Sequence, residues 1–120
     1  MNELSVEGVQ KNIIQMLAEH HTLTISTRDE SSVWSATVFY VSDQDMNLFF
    51  LSSEKSKHIN HIQLNSEVSA AIYKDQSDWQ KIKGIQLSGM VDILEGLARE
   101  KAMNQYLEKY KFLNQVINEP

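Results

Sequence analysis

The chain has 120 residues, 42% hydrophobic and 22% charged, with 11 Lys plus Arg against 16 Asp plus Glu and a net charge of −5. That size and balance suit one globular domain, residues 1–120, with its own core, and exclude disordered and low-complexity classes. The absence of cysteine excludes disulfides, thiolate metal sites and cysteine nucleophiles.

The acidic balance argues against a broad nucleic-acid-binding face. With four glycines and no GxGxxG or GxxxxGK[ST] pattern, a Rossmann dinucleotide site and a P-loop are disfavoured. The longest apolar run is Leu48-Phe49-Phe50-Leu51, far below the ~18 residues of a membrane span. The N-terminus MNELSVEG carries neither a basic region nor an apolar stretch, so the expectation is a cytoplasmic chain without a secretory signal.

In chain order, Val6, Val9, Ile13, Met16, Leu17 and His20 recur at three- and four-residue steps, which predicts a helix over 5–20 capped by Ser5. Alternation then predicts a strand over 22–27, followed by a polar turn at Asp29–Ser32. A second strand is expected over 33–42, a turn at 42–45, and a third strand over 47–51. The period changes at 56–65, where Ile59, Ile62 and Leu64 share one side of a short helix capped by Ser56. A fourth strand is expected over 68–73. A long fifth strand is expected over 79–94, with Gly84 and Gly89 marking bulges or close backbone approach. A charged amphipathic helix over 97–110 follows, with Arg99, Glu100, Lys101, Glu108 and Lys109 on a solvated face, then an apolar segment over 112–117. Strands joined by tight turns make an antiparallel sheet, and closing it into a small barrel removes its edges. The expected class is α+β, mainly antiparallel β, with peripheral helices.

Two stretches carry candidate chemistry. Leu51-Ser52-Ser53-Glu54-Lys55-Ser56-Lys57-His58 joins a strand end to a helix start, where free N–H groups, hydroxyls and two lysines converge. Such a start suits a phosphate monoester, and on these residues alone a solvated, capped turn is the commoner reading. In Trp34-Ser35-Ala36-Thr37-Val38-Phe39-Tyr40, Ser35 and Thr37 share one strand face and Ala36 and Val38 the other. His58 and His61 have metal-ligand spacing but no evident third ligand, and read as surface or partly buried histidines near the phosphate pocket. No G-x-S-x-G elbow occurs. Trp34 and Trp79 read as core or interface residues, and Met90 and Met103 as core filler.

The runs WSATVFY, NLFFLSSEKSKH, EVSAAIY and KGIQLSGMV, in this order and spacing over residues 22–95, resemble the pyridoxamine 5′-phosphate oxidase-like, FMN-binding split-barrel family, in its small bacterial branch. The resemblance implies a split barrel that dimerises and binds FMN at the dimer interface. Carried over by position, Lys57 would bind the FMN phosphate with Ser56 beside it. Ser35, Ala36, Thr37 and Val38 would lie along the flavin, through backbone N–H and C=O groups and the Ser35 and Thr37 hydroxyls. Leu51 and Ser52 would sit over the ribityl-phosphate arm, and Gln86 would contact the cofactor from the long strand. The oxidases proper carry an arginine where Ser35 stands and a second basic residue where Ser56 stands, and their substrate-binding C-terminal residues have no counterpart. Pyridoxamine phosphate oxidation is therefore not expected. Family members also continue beyond the last helix with further strands. The implied activity is flavin-mediated hydride transfer from NAD(P)H to a small acceptor, in an FMN-dependent oxidoreductase. The fold also hosts binding modules for heme or a deazaflavin coenzyme, and a degenerate dimeric scaffold is a third expectation. A heme would require an axial histidine such as His58 or His61.

Overall fold

The computed structural model describes residues 5–111. Three helices, α1 (Val6–Glu19), α2 (Lys57–Leu64) and α3 (Gly96–Lys109), surround five strands: β1 (Thr22–Arg28), β2 (Val33–Ser42), β3 (Leu48–Phe50), β4 (Glu67–Tyr73) and β5 (Gly84–Met90). The strands form one sheet in the order β3-β2-β1-β4-β5, with every neighbouring pair antiparallel. Among the described residues the sheet curls into half a barrel with β3 and β5 at its edges.

Alternation along the strands places the core. Leu23 and Ile25 of β1, Val38 and Tyr40 of β2, and Val68, Ala70 and Ile72 of β4 face inward, where Leu17 of α1 and Ile62 of α2 meet them. The Tyr40 hydroxyl donates to the Leu17 carbonyl at 2.7 Å, which satisfies its polar tip inside the core. A second cluster joins Val41 to Tyr106 and Tyr110 at the end of α3. The Tyr110 hydroxyl meets the carbonyls of His21, at 2.9 Å, and Tyr40. Burial, with the neighbouring Tyr110 second, pushes the Tyr40 hydroxyl up to about 12, so it stays a donor through the physiological range.

Several expectations change. The fifth strand starts at Gly84, because Asp78 caps a single 3₁₀ turn at Trp79–Lys81 through the Gln80 N–H and diverts the chain. It ends at Met90, although Val91 N–H still reaches the Ser66 carbonyl. The third strand contains only Leu48–Phe50. Val6 and Val9 lie exposed, and Leu17 is the buried residue of α1. Trp79 is 77% exposed and Met90 68% exposed, so neither fills the core. Lys109 does not belong to a solvated face. Its ammonium donates to the His20 carbonyl and stands 4.6 Å from the Tyr40 ring centroid, and burial lowers its pKa. The apolar segment 112–117 lies outside the described residues.

The β4–β5 register runs without interruption from Glu67↔Met90 to Tyr73↔Gly84, so neither glycine forms a bulge. Gly84 is instead a close approach: a Cβ there would lie 2.8 Å from the Ile72 carbonyl oxygen and 3.3 Å from Tyr73 Cβ. Backbone oxygen cannot swing away as a flexible side chain can. Gly84→Ala is expected to destabilise by about 1–3 kcal/mol. Gly89→Ala, where nothing lies within 4 Å, should leave the urea midpoint nearly unchanged. Equal midpoints for the two variants would refute the assignment.

Candidate functional site

The site is built around a stretch of β2 that, among the described residues, pairs on one side only. β1 covers one edge of β2 from Val33 to Phe39. On the other edge, β3 pairs only with Tyr40, Val41 and Ser42. The Tyr40 N–H donates toward β1, to the His21 carbonyl. Antiparallel backbone groups alternate direction, so the N–H and C=O of Ser35 and Thr37 point to the unpaired side. After Phe50 the chain leaves β2 through Leu51–Ser56 and enters α2. Lys57, the first residue of α2, returns to β2 and places its ammonium 4.3 Å from the Trp34 ring centroid. The Tyr40–Phe50 pair and the Lys57–Trp34 contact thus close a circuit. Between these two contacts lie residues 35–39 of β2, open on this edge among the described residues, and the connecting segment 51–56. From Trp34 to Tyr40 this edge spans roughly 20 Å.

The far wall is rich in hydroxyls. Ser56 is the N-cap of α2: its Oγ accepts from Ile59 N–H at 3.4 Å and its hydroxyl donates to the Ser53 carbonyl at 2.8 Å. Capping leaves the remaining first-turn N–H groups and the positive end of the helix dipole facing outward, beside Lys55 and Lys57. Ser52 Oγ lies 2.7 Å from Nε2 of His58, which is buried against the Phe50 ring.

Burial pushes the His58 pKa below its ordinary value of 6.5, so the imidazole is neutral at pH 7. A depressed folded pKa contributes stability that is complete above 6.5 and is lost as pH falls through the folded value. Asp29 follows the same rule in a separate window. The Ser31 and Ser32 backbone N–H groups hold its carboxyl down at about 2, so its contribution is complete above 3.8 and lost toward pH 2. Urea midpoints are expected to fall between pH 7.5 and 5.5 in the wild type and to fall less in His58→Gln. Parallel profiles for the two proteins would refute this.

The residues carried over by resemblance divide by location. Lys57, Ser56, Ser52 and Leu51 lie on the far wall of the circuit, and Ser35 and Thr37 offer backbone on the near wall. The expected hydroxyl contacts do not form on this edge: the side chains of Ser35 and Thr37 turn to the outer sheet face, where their hydroxyls meet Ser26 at 3.2 Å and Thr24 at 3.1 Å, because strand side chains stand perpendicular to the edge that the backbone presents. Ala36 and Val38 point their side chains inward, and Val38 is buried in the core. Gln86 is not brought to the circuit. It pairs with Ala71 on the outer face, with β4 and β1 between it and β2, roughly 14 Å away at normal strand spacing. There, Thr24, Ser26, Ser69, Gln86 and Ser88 line a shallow depression of about 510 Å³. A second hollow of about 560 Å³, apolar, lies inside the half-barrel, and Leu51 and Ser52 are among its lining residues.

One network was missed from sequence. His61 is 2% exposed, with Nδ1 at 2.9 Å from Thr27 Oγ1 and Nε2 at 3.5 Å from Asp29 Oδ2 and 3.4 Å from Ser32 Oγ. It ties α2 to the β1–β2 turn. Among the described residues no cluster of three metal-ligating side chains occurs, and the ring nitrogens of His58 and His61 meet Ser52, Thr27, Ser32 and Asp29. No described helix is long and apolar enough to cross a membrane.

The curled antiparallel sheet with peripheral helices is a split barrel, and solved structures share it. The fold matches HutZ, the heme storage protein from Vibrio cholerae, with a TM-score of 0.76 and 17% identity over 91% of this chain and 81% of that one. It also matches an FAD-binding protein from Mesorhizobium loti, with a TM-score of 0.69 and 16% identity over 98% and 80% of the two chains. A UPF0306 protein from Yersinia pestis is 30% identical over 99 residues, covering 82% of this chain and 67% of the relative. The chain belongs to the UPF0306 family. No family model matches it.

Proposed function

We propose that this protein binds FMN as a homodimer and acts as a flavin-dependent oxidoreductase, taking hydride from NAD(P)H and passing it to a small acceptor. The observation that carries this reading is the circuit itself: unpaired strand backbone on one wall, and on the other a capped helix start with Lys57. The donor set suits a molecule with a planar polar ring at one end and a phosphate at the other. The free N–H and C=O groups of Ser35 and Thr37 complement the ring's edge, and Lys57 with the first turn of α2 complements the phosphate. Lys55 stands where it can offset the missing family basic residues. Bound FMN supplies the hydride chemistry at its N5 position. The protein's residues bind it, orient it and shield one edge from water. Gln86, too far from its own β2 edge, would serve the site of a second copy across the dimer.

The likeness to HutZ favours a second reading, heme binding. It meets an obstacle here, because the His58 Nε2 and both His61 ring nitrogens already face partners inside the protein.

Parallel titrations with FMN and riboflavin, read by flavin fluorescence, test the proposal. FMN should bind at least about tenfold more tightly, as one charge-assisted phosphate contact implies. Equal or absent binding would overturn it. A Soret band on hemin titration that is lost in His58→Ala would favour the heme reading.

A further inference from the structure

The core does not explain Trp34. It sits on β2 with 45% of its surface exposed, although its neighbours on the same strand face, Ala36 and Val38, turn into the barrel. Its indole instead supports the Lys57 ammonium. Two features fix this contact. Trp34 is the register partner of Thr27, and Thr27 bonds His61. His61 is four residues after Lys57, so both side chains leave the same face of α2. One helix face therefore rests on one cross-strand pair, with His61 on Thr27 and Lys57 on Trp34. Asp29 secures the same corner, its Oδ1 accepting from Ser31 and Ser32 while Oδ2 faces His61.

We propose that Trp34 is a positioning residue for phosphate-bearing ligands, holding the Lys57 ammonium at the mouth of the β2 edge. This rests on the phosphate reading of the α2 start. A lysine on a four-carbon stem loses much rotamer freedom when it engages an anion. An indole face that restrains the ammonium in advance removes part of that loss, and the ring quadrupole attracts the charge without neutralising it. The effect is confined to ligands with a phosphate: a flavin without one gains nothing from an ordered Lys57.

The test compares FMN and riboflavin affinities in wild type, Trp34→Leu, Trp34→Phe and Lys57→Met. Trp34→Leu keeps an apolar side chain without a ring. It should weaken FMN about two- to five-fold, the scale of an exposed cation–π contact, and leave riboflavin unchanged. Trp34→Phe should restore most of the preference. In the Lys57→Met background, Trp34→Leu should have no further effect. Wild-type preference for FMN that survives Trp34→Leu in full would overturn the proposal and leave the phosphate reading standing. Equal loss of FMN and riboflavin would also overturn it, since that marks a structural role. Absence of any FMN preference in the wild type would remove both.

Discussion

Lys57→Ala is expected to reduce FMN affinity roughly 10- to 100-fold while riboflavin affinity stays within about twofold. A hydrogen bond to a charged group contributes about 1.5–3 kcal/mol, and each 1.4 kcal/mol is tenfold in affinity. Lys57 is exposed and its ammonium rests on the Trp34 ring, so its removal should leave folding intact. The effect should shrink with salt, because the interaction lies at the surface where screening acts over about 10 Å at 0.1 M. Lys55→Ala should show a smaller loss: its backbone N–H donates to Ser53 Oγ in the turn, and it precedes the helix. Equal losses in the two variants would mean that diffuse charge holds the ligand and that no defined site exists. An unchanged FMN-to-riboflavin ratio in Lys57→Ala would remove the phosphate from the α2 start altogether.

The parts of this site that were legible in the sequence are those set by local rules. Ser56 as N-cap, the helix beginning at Lys57, and the split of Ser35 and Thr37 from Ala36 and Val38 all follow from short-range geometry, and the structure has each of them. The strand order depends on long-range pairing: the resemblance implied a split barrel, and the order β3-β2-β1-β4-β5 came from the structure. What stayed hidden depends on which edge is left unpaired. No pattern within residues 33–39 announces that β3 will stop after three residues and leave the backbone of Ser35 and Thr37 open. Gln86 shows the same limit. Its motif is local, but its distance from β2 is a property of sheet order. The strand expected over 79–94 is shortened for a related reason: its recurring apolar residues look continuous, and the Asp78 cap that turns Trp79–Lys81 out of it acts through one side-chain bond. One hidden feature did leave a mark. Thr27 continues the inward alternation of Leu23 and Ile25, and a hydroxyl on a core face requires a partner.

That partner, His61, should give the largest stability effect among the polar residues. Removing the ring in His61→Ala leaves the Thr27 hydroxyl, 3% exposed, without its bond and opens a void between α2 and β1. An unsatisfied buried hydroxyl costs about 1–3 kcal/mol, and the cavity adds to it, so a loss of about 2–4 kcal/mol is expected. For a domain of this size that lowers the melting temperature by roughly 10–15 °C. Asp29 should not add to the loss, because the Ser31 and Ser32 backbone N–H groups hold its carboxylate independently of His61. The hydrogen-bond share can be separated from the packing share. His61→Leu alone strands the Thr27 hydroxyl, whereas His61→Leu with Thr27→Val makes both sides apolar and should recover most of the loss. Strictly additive losses would show that the two residues do not interact. Recovery would show that the bond matters chiefly because each partner is buried. The same double variant should keep its preference for FMN if it refolds with α2 in place, since apolar contact alone then keeps Lys57 over Trp34. Loss of that preference at restored stability would mean that the hydrogen bond sets the helix position as well as its stability.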